Sequence, residues 1–245
     1  MPRQPRIISP TGYMHIIARG IGRQMLFEAP ADYLYYLSLL KRYSKETDVT
    51  ICAYCLMDNH VHLLVYDPQQ SASLFMKKVG VSYAGYFNAK YDRTGHLFQD
   101  RYRSESINDD AYLLTVFRYI LQNPQKANIC HADQYPWSSY HLYDDTSFIN
   151  TSVLKGMIGD YAAYERFIAV DEEVECMDYD AVKRKDDQAR EKLCEILGIP
   201  NGMELQSYGK EKRDQAIREL KRNGLNAYQI SRLTGLNRST VHRIH

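Results

Sequence analysis

The stretch that most constrains this fold is a pair of apolar, β-rich runs divided by turn chemistry. Residues 51–56 lead into Met57-Asp58-Asn59-His60-Val61-His62-Leu63-Leu64-Val65. Asp and Asn side chains bond to nearby backbone and favour turns, so the runs read as two strands meeting at Asp58-Asn59. Side chains two apart in a strand share a face. His60 and His62 therefore project together, while Val61 and Leu63 face the other way into a core. Two imidazoles on one sheet face can form half of a metal site. They can equally be two histidines on a solvated face, because His-x-His is short and common.

The rest of the first half arranges itself around that pair. Residues 13–19 alternate as a strand, interrupted at Gly20-Ile21-Gly22 before Met25-Leu26-Phe27. In residues 31–47, Tyr33, Leu34, Leu37, Leu40 and Tyr43 form the apolar stripe of a helix. Strands over 50–57 and 61–66 end at Asp67-Pro68, and Ser71 or Ser73 can cap a second helix running to about Tyr91. Asp92-Arg93-Thr94-Gly95 is a turn, 96–107 reads as a fourth strand, and Asp109 or Asp110 caps a third helix ending at Asn123-Pro124. The order β-α-β-β-α-β-α predicts an α+β, ferredoxin-like antiparallel sheet with helices on one face, plus an added helix.

A projection of the third helix at about 100° per residue separates its faces. Tyr112, Leu113, Val116, Phe117, Ile120 and Leu121 form the apolar arc, with Thr115, Arg118 and Gln122 opposite. Tyr119 and Asn123 fall on the border, one above the other, because four residues make about one turn. There a phenol and an amide could reach past the sheet edge while the helix stays docked. Each also has an ordinary account, Tyr119 as an amphipathic core residue and Asn123 as a helix-ending residue before proline.

Composition adds mostly exclusions. A chain of 245 residues suits one large domain or two small ones, and a net charge of +1 means that any basic patch must be local. Cys52, Cys55, Cys130, Cys176 and Cys194 are odd in number and scattered. Cys52 and Cys55 are three apart in a strand, which predicts thiols on opposite faces, and no second pair completes a zinc site. They read as buried structural thiols. No apolar run reaches membrane-spanning length and no signal peptide opens the chain, so the expectation is a reducing cytosol and no membrane partner.

The last third has its own pattern. Residues 144–147 look like a loop, 160–170 like a helix, and Asp171-Glu172-Glu173-Val174-Glu175 like an acidic linker that would repel DNA. Organised structure resumes near Asp186, with helical patterning over 189–197. Residues 210–223 read as a helix closed by Gly224. Asn226 caps a short helix ending at Gly235, and Asn237 caps a final one carrying Arg238, Ser239, Thr240, His242 and Arg243. Helix, glycine turn and a helix opening on Arg-Ser-Thr is the pattern of a helix-turn-helix. Arg238, Ser239 and Thr240 would enter a major groove with Arg243 on the same helix, and Lys221 and Arg222 would touch phosphates. A helical protein-contact module is the other reading. The expected division is 1–145, a helical and acidic linker over 146–185, and a small all-α helix-turn-helix domain over 186–245.

Four blocks, in order, carry a family resemblance. His60-Val61-His62 resembles the histidine-hydrophobe-histidine motif of the HUH endonucleases. Gly95-His96-Leu97-Phe98-Gln99-Asp100-Arg101-Tyr102-Arg103-Ser104, Tyr119-Ile120-Leu121-Gln122-Asn123-Pro124 and Tyr135-Pro136-Trp137-Ser138-Ser139-Tyr140 resemble the segments that follow it in single-tyrosine transposases. Among these the chain looks most like REP-associated tyrosine transposases and their insertion-sequence relatives. Asp58 stands where the family usually has proline, and it suits the same turn.

The resemblance implies roles. Tyr119 would attack a single-stranded DNA phosphodiester, leaving a 5′-phosphotyrosine and a free 3′-hydroxyl. His60 and His62 would be metal ligands, with Asn123 as a third. Two imidazoles lean toward transition metals and oxygen donors toward Mg²⁺ or Mn²⁺; the family implies Mg²⁺ or Mn²⁺. Nothing in the scheme needs ATP, and no phosphate-binding glycine loop is present. Lys77 and Lys78 interleave with Tyr83, Tyr86 and Lys90 on the second helix, and Arg101 and Arg103 share a face of the expected fourth strand. Single-stranded DNA favours such mixtures, although a solvated helix and a charge-guarded edge strand look the same in sequence. The expected protein is a metal-dependent endonuclease and strand transferase acting on single-stranded hairpin DNA in the bacterial cytoplasm, at the nucleoid. It would carry an appended duplex-DNA reader, and relatives include homodimers that exchange their tyrosines. Two alternatives remain. The fold also carries RNA-binding modules, which would not need His60, His62 and Tyr119 together; the other is a non-catalytic regulator with a relic nuclease domain.

Overall fold

The computed structural model describes residues 9–171, 176–177 and 186–244. Its centre is a four-stranded antiparallel sheet of β1 (Tyr13–Arg19), β2 (Thr50–Met57), β3 (His60–Tyr66) and β4 (Arg103–Ser106), in the order β2-β3-β1-β4. This is the ferredoxin-like arrangement expected from the order of elements. Ile16, Leu56, Val61, Leu63 and Val65 point to one face, where α1 (Pro30–Thr47) and α2 (Ala72–Lys90) bury Tyr36, Leu40, Phe75, Val79 and Tyr83 against them. The added helix, α3 (Asp110–Lys126), covers the other face, packing Leu113, Val116, Phe117 and Ile120 on Ala53, Cys55 and Leu64. A fully buried side chain of this size contributes roughly 1.5–3 kcal/mol. The sheet is therefore clamped from both sides, and functional groups on its α3 face sit in a rigid frame.

Several local expectations are corrected. Neither Ser71 nor Ser73 caps α2 with its hydroxyl; the Asp67 carboxylate accepts from the Ser71 and Ala72 amides at 2.8 and 2.7 Å. An ionised acceptor at a helix start is the stronger cap. The fourth strand is only Arg103–Ser106, not 96–107. Residues 97–99 do reach the sheet, where Ile21 donates to Leu97 O and Gln99 to Arg19 O. The chain then turns, with Asp100 Oδ1 accepting from the Arg101 amide. Helix α3 runs past Pro124 to Lys126, because a proline in the last turn forfeits one bond and leaves the rest in place. Cys52 and Cys55 do not lie on opposite faces: a bulge between Ile51 and Ala53 shifts the register and brings both thiols to the α3 side. Burial pushes the Cys52 thiol up to about 12, as suits a structural cysteine.

Residues 146–185, expected as a helical and acidic linker, contribute α4 (Ser152–Ile158) and α5 (Tyr161–Ala169), which bury Leu154, Tyr164 and Ile168 in the α3-side core. Gln122 donates to the Ile168 and Val170 carbonyls, and the Arg118 guanidinium lies 4.6 Å from the Phe167 ring centroid. The face of α3 that the projection left to solvent is thus covered by α5. Asp171 is exposed, and the acidic residues 172–175 lie outside the described residues.

The C-terminal elements are α6 (Asp186–Leu197), α7 (Lys210–Arg222), α8 (Ala227–Thr234) and α9 (Arg238–Arg243). Asn226 caps α8 by accepting from Tyr228 and Gln229, and Asn237 caps α9 by accepting from Ser239. Gly202 is required by packing, since a Cβ there would stand 2.4 Å from Leu233 O. Leu193, Leu205, Ile217, Leu220, Ile230 and Val241 form this core, and Met25 from the N-terminal half completes it. Beside Met25, Glu28 is 3.6 Å from Arg190 of α6. Among the described residues no helix is long and apolar enough to cross a membrane.

Burial raises the Glu28 carboxyl to about 7, with Arg190 pulling the other way. A carboxyl raised on folding binds more protons folded than unfolded, so stability should fall as pH rises from about 4.5 to about 7 and level off above. Glu28→Gln should flatten that slope, which thermal melts between pH 4.5 and 8 would show. An unchanged slope in the variant would mean another group is responsible.

Candidate active site

The register of the sheet decides which side chains meet. His62 faces Ile17 of β1 and Cys55 of β2, His60 faces Arg19 and Met57, and His15 faces Leu64 and Glu105. All these side chains share the face that α3 covers. His60 and His62 project together as their spacing requires, with ring centroids 4.9 Å apart. Across from them Tyr119 sits 5.8 Å from the His62 ring. Strand spacing and one helix face thus bring two imidazoles and a phenol from distant parts of the chain to one place.

His62 is fully buried and Tyr119 is 6 % exposed, whereas His60 is half-buried at the rim. The border position of Tyr119 therefore turns the phenol inward against the sheet, not past its edge. Lys126, two turns on, holds its ammonium 4.8 Å from the Tyr119 ring centroid. Asn123 Nδ2 donates to Tyr119 O at 3.1 Å, which fixes the side-chain amide along α3 with Oδ1 as its acceptor atom.

Each imidazole has its Nδ1 engaged. His60 Nδ1 donates to Asn59 Oδ1 at 2.7 Å, and Asn59 is fastened in turn by donating to Arg23 O. His62 Nδ1 shares a 3.0 Å hydrogen bond with His15 Nε2. In both rings these hydrogen bonds use Nδ1 and not Nε2, and imidazole Nε2 atoms with an amide oxygen are the kind of donor set that suits a divalent cation. Among the described residues no group of three or more His, Cys, Asp or Glu side chains could hold a metal ion, so this would be a site of two histidines and an amide.

Sequence reasoning missed His15 and Glu105. His15 is fully buried, its ring 6.0 Å from Tyr119. Its Nδ1 lies 3.8 Å from Glu105 Oε2. His15, with Tyr112 and the Met177 amide, holds the Glu105 carboxyl below the usual range. The signal was a histidine on β1 in phase with the face of His60 and His62, but only the strand pairing reveals it.

The predicted nucleic-acid contacts are dispersed. Arg103 is exposed on β4, on the face of His15 and His62, but Arg101 is in the turn before the strand and does not share its face. Lys77 and Arg101 line an open groove of about 770 Å³ between α2 and residues 95–102, on the opposite side of the sheet from Tyr119. The interleaved aromatic face of α2 does not form. Tyr83 is fully buried, Tyr86 and Lys90 bond to Asp32, and Lys78 is paired with Glu46 at 2.8 Å. Helical periodicity turns those tyrosines toward α1. In the C-terminal part, Arg238 stacks on Tyr228 at 3.6 Å, with Ser239 exposed and Thr240 half-buried beside it. Ser239 Oγ bonds to Asn237, and Arg243 donates to Ser239 O. Arg222 is exposed, but Lys221 donates to the His242 and Ile244 carbonyls, capping α9 instead of pointing to solvent.

The fourth sequence block has a structural task. Tyr135 donates to Leu56 O, Leu56 donates to Trp137 O, and Ser139 Oγ accepts from the Tyr54 amide, so residues 135–139 run as a clasp along β2. Trp137 stacks on Tyr33 of α1 at 4.3 Å.

Comparison with known proteins agrees with this architecture. No curated protein matches the chain. A REP-associated tyrosine transposase, solved bound to a REP hairpin, aligns over 62 % of this chain and 90 % of its own, with 14 % identity and a TM-score of 0.52. A transposase candidate from Deinococcus radiodurans R1 aligns over 49 % of this chain and 95 % of its own, with 20 % identity and a TM-score of 0.34. Residues 9–123 match the family described as Transposase IS200 like, a span that holds the sheet, both histidines, Tyr119 and Asn123. The chain therefore carries an IS200-like transposase domain.

Proposed function

We propose that this protein cleaves and rejoins single-stranded DNA, with Tyr119 as nucleophile and His60, His62 and Asn123 as ligands of a Mg²⁺ or Mn²⁺ ion. The observation that carries the reading is the meeting of His60, His62 and Tyr119 on one sheet face, with both imidazoles engaged at Nδ1. A divalent ion held by these groups would orient the scissile phosphate and offset its charge. In the attack, a bond forms between Tyr119 Oη and phosphorus as the bond to the 3′-oxygen breaks. Net, the phenolic proton ends on the 3′-oxygen. The 5′-phosphotyrosine keeps the phosphodiester energy, so a 3′-hydroxyl from another strand can reverse the step and join new ends.

Burial sets a condition on this chemistry. A phenol 6 % exposed meets a phosphate only if the DNA strand gains access between α3 and the sheet. Arg103 and the half-buried Arg19 lie on the same sheet face as His60 and His62 and would draw the backbone toward it. We take single-stranded hairpin DNA as the substrate class, in keeping with the hairpin bound by the structural neighbour. The exposed start of α9, with Arg238, Ser239 and Thr240, would read duplex DNA, supported by Arg222 and Arg243.

The test is incubation of the full chain with Mn²⁺ and labelled single-stranded hairpins, followed by a denaturing gel. The expected result is a covalent protein–DNA adduct that EDTA prevents. Hairpin binding with no adduct under any metal would replace the enzyme with a DNA-binding regulator.

A further inference from the structure

We infer that His15 is a positioning residue that sets the tautomer of His62 and thereby prepares it to bind the metal; this rests on the metal-site reading above. His15 is fully buried and belongs to β1, yet it presents Nε2 to His62 Nδ1 at 3.0 Å. A hydrogen bond between two imidazole nitrogens needs one proton, and either ring can supply it. What breaks the symmetry is the other side of His15, where Glu105 Oε2 lies 3.8 Å from Nδ1. A carboxylate favours a proton on the nitrogen that faces it. His15 is then protonated at Nδ1 and accepts at Nε2, so His62 must donate from Nδ1. His62 Nε2 is left with its lone pair, the form a metal requires.

The geometry of Glu105 makes the arrangement directional. The Met177 amide donates to its Oε2 at 3.3 Å, and Tyr112 is a further partner, so the carboxylate is held from several sides. His60 reaches the same state by a simpler route, donating from Nδ1 to Asn59 Oδ1. The two histidines thus use different partners for one result, an amide at the rim and a histidine–carboxylate pair in the interior. A core that needed only to be filled at position 15 would gain more from an apolar side chain, since a buried imidazole must be matched by partners.

The test uses the full chain without metal first. Long-range ¹H–¹⁵N spectra should show wild-type His62 protonated at Nδ1 and His15→Leu with His62 redistributed toward Nε2–H. Mn²⁺ affinity, read by electron paramagnetic resonance, should fall about tenfold to a hundredfold in His15→Leu. It should stay within about threefold of wild type in His15→Gln, whose side-chain oxygen can still accept from His62. Glu105→Gln keeps His15 in place and should give an intermediate loss. Wild-type His62 protonated at Nε2, equal Mn²⁺ affinity in His15→Leu and wild type, or equal loss in His15→Leu and His15→Gln would each overturn the proposal. If His15→Leu does not fold, Glu105→Gln decides, and an unchanged tautomer and affinity there would end it. Wild type that binds no Mn²⁺ while His62 is protonated at Nδ1 would sink the metal-site reading and leave the tautomer assignment standing.

Discussion

Tyr119→Phe should abolish adduct formation outright while leaving the fold and hairpin affinity intact. The ring is 6 % exposed and packs against His15 and His62 at 6.0 and 5.8 Å, contacts that phenylalanine can also make. The Lys126 ammonium over the ring would likewise keep a π face to sit on. Only the attacking oxygen is lost, and no substitute nucleophile stands in its place. The melting temperature should move by a few degrees at most, and a filter-binding curve should overlay wild type. An adduct that survives Tyr119→Phe would transfer the role to another of the 21 tyrosines and remove the reason for placing the reaction at α3.

His62→Ala and His60→Ala should both stop cleavage, but they should differ in stability. His62 is fully buried, so alanine opens a cavity between β3 and α3 and strands His15 without its partner. Losses of that type cost roughly 2–4 kcal/mol. His60 is half-buried at the rim and bonded to its own neighbour Asn59, so His60→Ala should cost well under about 1 kcal/mol. Urea melts beside the adduct assay would check both arms. Wild-type cleavage by either variant would exclude that histidine as a ligand, and equal stability in the two would contradict the packing described for His62.

The strands, the fold class and the shared face of His60 and His62 were legible because they rest on local patterns. Alternation marks β1, apolar β-rich runs mark β2 and β3, turn residues divide those two, and strand phase puts two histidines on one face. Tyr119 and Asn123 could be placed on one side of α3 by helical phase alone. His15 could not be assigned, because its meeting with His62 spans 47 residues and depends on which strand lies beside which. Arg118 and Gln122 misled for the opposite reason. Their polarity said solvent, but α5 returns over them with carbonyls and a phenyl ring that satisfy both. On α2 the sequence offered lysines and tyrosines with no sign that Asp32 and Glu46 of α1 would claim Lys90 and Lys78.

Met25 belongs at once to two histories of this chain. It completes the apolar core of α6–α9, and it lies in the short segment whose neighbours Arg23, Leu26 and Phe27 hold the Asp58-Asn59 turn beside His60. A designer wishing to give this transposase domain a different C-terminal reader could not cut at 185 and graft. The replacement would have to offer its own socket for that methionine and a cation for Glu28, or bring new versions of both with it. Chimeras that exchange residues 186–245 together with 24–28 should tolerate the swap better than those exchanging the tail alone. The seam of this protein thus lies inside its first half, a few residues from the histidines, and not in the acidic stretch where the sequence pattern breaks.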